Sequence, residues 1–393
     1  MTGPTSAANR SANDRVRAIL GWWTSLDGRF MAVVIALVIA GILAVTSSSF
    51  AMALSVHDDA WFFTRKQLGS AALGVTCFFV ISNIPATLIK RWSPYAFGVS
   101  ALMLMAVPLI GRTALGAKRW LFFGPIQVQP SEIVKFTAVI WLAAMLSMDK
   151  RRVKSIWHHW IPIGVILMLT FMTERQPDLG TALCIAIGVM ATLFVANINS
   201  KHIAIAIALG IVGVGALVFA PQGGHDYRSG RFAAVADPAK DKDGASMQNW
   251  RSLVALANGG ATGLGLGQSR EKRRGGVPMQ RTDFIFAVVG EEVGLGGTLS
   301  LLAMYVWLLM VGINLSVRAI DPFSRYAIAG ITASIVGQAL LNMAVVTSLV
   351  PATGIPLPLV SYGGTSLVLT LSALGVIAAL SRRKSPRNVE MDK

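Results

Sequence analysis

Apolar stretches of about 18 residues or more recur along most of this chain, and each is long enough to cross a bilayer as a helix. Charges are sparse: 14% of the 393 residues are Asp, Glu, Lys or Arg, and the mean hydropathy is +0.60. A soluble domain carries about 25% charged residues. The chain therefore reads as an all-α polytopic membrane protein with one domain. Ten spans are expected, at 29–48, 68–88, 94–111, 131–148, 160–174, 178–197, 202–220, 284–315, 325–350 and 360–381. The fifth is short. The eighth is long and glycine-interrupted, which predicts a bend or a partly re-entrant segment. No internal repeat is visible, so nothing points to the inverted halves of many transporters.

Lys and Arg set the orientation. With the N-terminus inside, the cytoplasmic segments hold eighteen of them and the short external loops six. The expected order is a cytoplasmic tail (1–28), a ten-helix domain (29–381) and a cytoplasmic tail (382–393). A large extracytoplasmic loop, 220–282, joins helices 7 and 8. No short apolar leader precedes the first run, so a cleavable signal is not expected. VRAILGWWTSL (16–26) is expected at the membrane interface. The formal charge of +16 reflects topology and anionic headgroups in such a chain, not nucleic acid. Cys77 and Cys184 fall in apolar runs and form neither a disulfide framework nor a metal pattern. His158 and His159, between Trp157 and Trp160, read as interface residues.

The segment PMQRTDFIFAVVGEEVG (278–294) sets a carboxylate, Asp283, where an apolar run begins, and Glu291 and Glu292 about two turns further in. At about 100° per residue, Asp283, Ala287, Gly290, Gly294 and Gly297 share one helical face. Two readings fit. In one, Thr282 is the N-cap, Asp283 is a first-turn acid, and the small residues make a close helix contact. In the other, the small residues line a groove for a lipid chain, with Asp283 as a general base at its mouth. A base at neutral pH must be ionised yet still basic.

Other segments carry candidate chemistry. Arg112, Lys118 and Arg119 interleave with Trp120, Phe122 and Phe123 in a short external loop. That mixture suits a lipid-linked phosphate or ordinary anionic lipid. Pro130 and Ser131 open a helix on which Glu132 and Lys135 lie three apart, as a functional or a structural ion pair. In TERQPDLGTAL, Pro177 fits the first helical position and Asp178 the first turn, with capping its favoured role. SREKRRGG (269–276) sets Arg270 and Arg273 shortly before Asp283. GGATGLGLGQ (259–268) lacks the Gly-Lys-Ser/Thr of a phosphate loop and reads as a flexible turn region. SLVPATGIPLPLVSYGGTSL (348–367) is Pro- and Gly-broken, so it must line a cavity or be buried in protein.

Together GAKRWLFFGPIQVQPSEIVK, RQPDLGTAL, MQNWRSLVALANGGATGLGLGQS, TDFIFAVVGEEVG and PATGIPLPLVSYGGTSL resemble the SEDS family, the FtsW/RodA/SpoVE polymerases of bacterial cell-wall synthesis. They stand in the family's order across most of the chain. The resemblance implies a peptidoglycan glycosyltransferase that polymerises lipid II at the outer face of the cytoplasmic membrane. It implies a class B penicillin-binding protein as partner, with other membrane proteins of the division machinery. Asp283 matches the family's catalytic aspartate, Lys118 and Arg119 its basic loop residues, and Glu132 with Lys135 its intramembrane pair. Arg112, Asp178, Arg270 and Arg273 are added as candidate substrate contacts. The chain departs from the family at 278–281, where Pro-Met-Gln-Arg replaces Pro-Glu-x-His and brings Arg281 beside the acid. The loop at 348–367, the extended N-terminus and the basic tail resemble FtsW, the division polymerase, more than RodA. A RodA-like elongation enzyme, a lipid II flippase and a non-enzymatic scaffold stay open as alternatives. A divalent cation (Mg2+ or Mn2+) is a candidate helper, with no ligand set legible.

Overall fold

The computed structural model describes residues 26–114, 117–124, 126–148, 156–176, 178–198, 246–270 and 281–382, with isolated positions between 201 and 239. The expected seventh span, the 16–26 segment apart from Leu26, most of the 220–282 loop and the tail after Arg382 lie outside these residues. The helices are α1 (Gly28–His57), α2 (Phe62–Ser82), α3 (Ala86–Ile110), α4 (Pro130–Leu146), α5 (Ile156–Arg175), α6 (Leu179–Val195), α7 (Met247–Gly259), α8 (Ile285–Arg318), α9 (Pro322–Val346) and α10 (Gly364–Ser381). Among the described residues, α1, α3, α8, α9 and α10 are each long and apolar enough to cross a membrane. The expected second span, 68–88, runs across the end of α2 into α3, and each of the others except the seventh overlaps one helix. The molecule is a mostly helical, multi-pass membrane protein.

Local chemistry fixes the helix starts. Asp27 accepts the N–H groups of Arg29 at 2.9 Å and Phe30 at 3.3 Å, which caps α1. Asp321 caps α9 through Ser324 N at 2.9 Å, with Pro322 at the first helical position. One junction differs from expectation. α2 ends at Ser82, and Pro85, at φ −65 and ψ 143, caps α3. Lys90 and Arg91 therefore sit in the early turns of α3 rather than in a connection. Asn83 and Pro85 break the run between apolar residues such as Val80, Ile81, Leu88 and Ile89.

The segment between α3 and α4 is not a plain loop. It forms a three-stranded antiparallel sheet, β1 (Arg112–Ala114), β2 (Ala117–Phe123) and β3 (Ile126–Val128), in the order β1-β2-β3. β2 pairs with β3 in the register Leu121↔Val128, Phe122↔Gln127 and Phe123↔Ile126. The sheet packs against the ends of α3 and α4.

α9 is the central helix. In its apolar stretch 67% of residues are buried, against 28% in α3 at the rim. It packs on α4, α6, α8 and α10, while α2 lies along α10 and α1 along α8.

α8 is broken at Gly294, whose φ of 73 and ψ of −163 lie outside the helical region and favour glycine. The break frees backbone groups, and the 259–268 segment takes them up. Leu264 N donates to Glu291 O at 3.0 Å, Gly265 N to Glu292 O at 2.9 Å, and Leu295 N to Gly260 O at 2.9 Å. The expected flexible turn is thus a docked loop that satisfies an interrupted membrane helix, as backbone at such depth requires. The break also means that Gly297 does not continue the face of Asp283 on an unbroken helix.

Candidate active site

Asp283 stands just before α8, not inside it. The helix begins at Ile285, Phe284 is its cap residue with no side-chain capping bond, and the first turn holds no acid. The expected Thr282 cap is therefore corrected. Three successive carbonyls here are taken by distant groups instead. Tyr362 N donates to Arg281 O at 2.9 Å, Ser361 Oγ donates to Thr282 O, and Asn342 Nδ2 donates to Asp283 O at 2.6 Å. The backbone of the acid is held by α9 and by the 351–363 segment rather than by helical hydrogen bonds.

That segment is itself held down. Asn342 Nδ2 also donates to Ile355 O at 2.8 Å, and Gln338 Nε2 to Pro356 O at 2.8 Å. Ser361 Oγ accepts from Leu357 N at 2.8 Å, and Gln67 of α2 reaches Ser361 O at 3.3 Å. Ile355, Leu357, Leu359 and Val360 are buried. The Pro- and Gly-broken segment is accordingly buried in protein, one of its two expected fates.

Arg119, on β2, reaches the same place. Its Nε donates to Gln176 O at 3.0 Å, which ties the sheet to the end of α5. A Cβ built on Gly354 would stand 3.8 Å from Asp283 Oδ2 and 3.9 Å from Arg119 Nη1. The structure thus gathers Asp283 and Arg119 at one end of the bundle, around a glycine whose φ is +72. Arg281 lies on another flank. Its guanidinium sits 4.0 Å over Phe63 and 5.6 Å over Tyr362, with Nη1 3.0 Å from Met52 Sδ. Burial moves the Arg281 pKa below its ordinary value and the Tyr362 phenol above its own.

The Glu132–Lys135 pair is fully internal, at 3.0 Å, with side chains 4% and 1% exposed. Lys135 Nζ also donates to Gln338 Oε1 at 2.6 Å, and Glu132 Oε2 accepts from Ser366 Oγ at 3.1 Å. Both charges are committed to protein groups. Through Gln338 they reach the segment that carries Gly354.

The remaining candidates fall elsewhere. Asp178 is the cap of α6, not a first-turn residue. It accepts Thr181 N at 3.3 Å, Gln129 Nε2 at 2.8 Å and Ser131 Oγ at 2.9 Å, and is buried. The capping role is realised. Lys118 is exposed on β2, and the backbone of Arg112 pairs with Trp120. Arg270 is exposed, and its N–H donates to Glu291 Oε1 at 3.1 Å. Glu291 also accepts from Asn258 Nδ2 at 3.2 Å and from Ser269 Oγ, and Glu292 accepts from Ser47 Oγ of α1. Arg273 lies outside the described residues. Among those residues no three carboxylate, His or Cys side chains converge.

An apolar groove of about 410 Å³ opens between α7, α8 and α9, lined by Leu256, Phe286, Gly290, Gly294, Leu295 and Met343. Of the expected small-residue face, Gly290 and Gly294 line it. The residues missed from sequence are Gln338, Asn342, Ser361 and Gly354. Gln338 and Asn342 had a signal: two amides one turn apart in an apolar helix face the same neighbour.

Comparison with known proteins gives the family and the fold. Residues 28–386 match the FtsW/RodA/SpoVE family, described as "Cell cycle protein". Stage V sporulation protein E of Bacillus subtilis (strain 168) is 35% identical, over 91% of this chain and 98% of that one. Peptidoglycan glycosyltransferase MrdB of Escherichia coli (strain K12) is 32% identical, over 90% and 93%. Probable peptidoglycan glycosyltransferase FtsW of Geobacter metallireducens (strain ATCC 53774 / DSM 7210 / GS-15) is 34% identical, over 89% and 92%. Among solved structures, a chain described for the structural coordination of polymerization and crosslinking by a peptidoglycan synthase complex superposes with a TM-score of 0.75. It is 26% identical, over 91% of this chain and 97% of that one.

Proposed function

The chain belongs to the FtsW/RodA/SpoVE family, and from that premise we propose how it acts as a peptidoglycan glycosyltransferase: it polymerises lipid II at the outer face of the cytoplasmic membrane, with Asp283 as the base. Asp283 removes the proton from the 4-hydroxyl of the acceptor's GlcNAc. That oxygen attacks the anomeric carbon of the donor's MurNAc. The carbon–oxygen bond to the diphosphate breaks as the β-1,4 bond forms, with inversion, and undecaprenyl diphosphate leaves with the electron pair. A glycosidase needs a second carboxyl to protonate a poor leaving group. A diphosphate leaves without one and is stabilised by cations.

The observation that carries this reading is the approach of Asp283 Oδ2 and Arg119 Nη1 to the same glycine at one end of the bundle. An acceptor hydroxyl beside the carboxylate and a diphosphate beside the guanidinium are then neighbours. Lys118, exposed next to Arg119 in sequence, adds charge at the sheet. The test is glycan-strand formation from purified lipid II by wild type and Asp283→Asn side by side. Asn keeps the shape and removes the base, so the variant is expected to be inactive. Equal polymer from both would transfer the role to another group.

We assign the polymerase to septal rather than lateral synthesis, on the FtsW-like 348–367 segment. The proposed partner is a class B penicillin-binding protein, since the structural neighbour of 26% identity belongs to a synthase complex that couples polymerization to crosslinking. Complementation of cells depleted of their division polymerase, but not of their elongation polymerase, is the expected outcome. The reverse pattern would move the chain to the elongation role.

A further inference from the structure

We propose that Asn342 is a positioning residue for the glycosyl transfer: its side-chain amide sets where Asp283 stands relative to the segment that carries Gly354. The inference rests on Asp283 being the base.

The residue lies on α9, the most deeply buried of the long helices, and is itself 1% exposed. Its one nitrogen donates to two carbonyls from different parts of the chain, Asp283 O at 2.6 Å and Ile355 O at 2.8 Å. Asp283 precedes α8, so the helix does not fix its backbone. Ile355 is bonded in sequence to Gly354, where an added Cβ would stand 3.8 Å from Asp283 Oδ2 and 3.9 Å from Arg119 Nη1. A single NH2 group therefore joins the backbone of the acid to the segment whose glycine both acid and cation approach.

The chemistry of this link is selective. Two carbonyl oxygens need two N–H donors converging from one side. An amide nitrogen supplies both, and an ionised carboxylate supplies none and repels both. Gln adds a methylene and moves the nitrogen. Gln338, one turn earlier on α9, makes the parallel link to Pro356 O at 2.8 Å. The two amides thus hold consecutive carbonyls and leave the 355–356 backbone little freedom to shift. Ser361 completes the hold on the acid's segment by donating to Thr282 O. Asn342 does not reach the reacting atoms in this arrangement, and it acts through the placement of Asp283. A base displaced by about 1 Å can lose about 100-fold in rate, because proton removal and attack are coupled in one geometry.

The experiment compares full-length wild type, Asn342→Asp, Asn342→Gln and Asp283→Asn, purified in detergent with the cognate transpeptidase. Glycan polymerisation is followed over a range of lipid II concentrations, with thermal stability and co-purification of the partner recorded for each. The expected result is a kcat lower by about 100-fold in Asn342→Asp, with KM within about twofold of wild type. Asn342→Gln, which keeps the NH2 group, is expected between the two. Should the Asp variant fail to accumulate, Asn342→Ser, which buries no charge, reads the same quantity. Wild-type kcat in these variants while Asp283→Asn is inactive would overturn the positioning role and leave the base assignment standing. A loss that appears only in KM, or only in step with thermal stability, would make Asn342 a packing residue. Activity in Asp283→Asn equal to wild type would instead remove the base assignment, whatever Asn342 does.

Discussion

Asp283 and Arg119 meet at Gly354: the Cβ that this glycine lacks would lie 3.8 Å from a carboxylate oxygen of one and 3.9 Å from a guanidinium nitrogen of the other. The acid arrives from the start of α8 and the cation from the sheet, so two separate elements converge where transfer is proposed. Arg119 also uses its Nε on Gln176 O at 3.0 Å. One face of the planar fork thus anchors the residue while the other reaches the site, a division that a lysine cannot reproduce. Arg119→Ala is expected to lower kcat by about 100-fold, the usual effect of removing one preorganised stabilising group. Arg119→Lys is expected to recover only part of it. Initial polymerisation rates at saturating lipid II measure both. Full activity in Arg119→Ala would move the leaving-group role to another cation, Lys118 first.

Gly354 itself makes a second prediction. Its φ of +72 costs a residue with a side chain about 1–2 kcal/mol. The added methyl group would meet the acid and the cation at ordinary contact distance, so Gly354→Ala is expected to fold. Its methyl would nonetheless occupy space beside both groups. The expected outcome is a modest drop in melting temperature and a much larger drop in polymerisation rate. A rate that falls no further than stability would show that substrate does not use this space.

The Glu132–Lys135 pair predicts an asymmetry. Each charge is buried and neutralised by its partner at 3.0 Å. Removing one leaves the other uncompensated at a cost of about 3–5 kcal/mol, whereas replacing both with uncharged groups of similar shape is often close to neutral. Lys135→Met is therefore expected to destabilise the protein severely in thermal unfolding, and Glu132→Gln with Lys135→Met to regain much of the loss. Polymerisation by the folded double variant is expected to remain measurable, because neither charge is placed at the reacting atoms. A stable double variant without activity would show that the charges themselves serve the reaction.

What could be read from sequence followed from local rules. The length of the apolar runs located the helices, and the glycines of 290–297 announced the break in α8. The carboxylate at the edge of an apolar run marked Asp283, and the cations among aromatics marked Arg119. What escaped depends on contacts between residues far apart in the chain. Thr282 read as a helix cap because Thr before Asp at a helix start is a common local solution. Its carbonyl and that of Asp283 are instead taken by Ser361 and Asn342, 79 and 59 residues away in the chain. The glycines of 259–268 read as freedom, and the same composition turned out to suit close docking on another backbone. The aromatic run before Gly124 had the residue types of a strand, but the cations within it drew the reading toward lipid binding alone.

That docked loop gives the last prediction. At Gly294 the φ of 73 places the missing Cβ against the loop, 2.7 Å from Ala261 O and 2.8 Å from Ala261 C. Both contacts are to backbone, so no side chain can swing away. Gly294→Val would add strain of about 1–3 kcal/mol at the break and force the loop off α8. The N–H groups of Leu264 and Gly265 would then lose their bonds to Glu291 O and Glu292 O. Hydrogen exchange resolved to these amides is expected to show protection in wild type and its loss in the variant, well before global unfolding. Unchanged protection would mean that the loop stays docked on α8 despite the added side chain, and that a glycine at 294 is not what admits it.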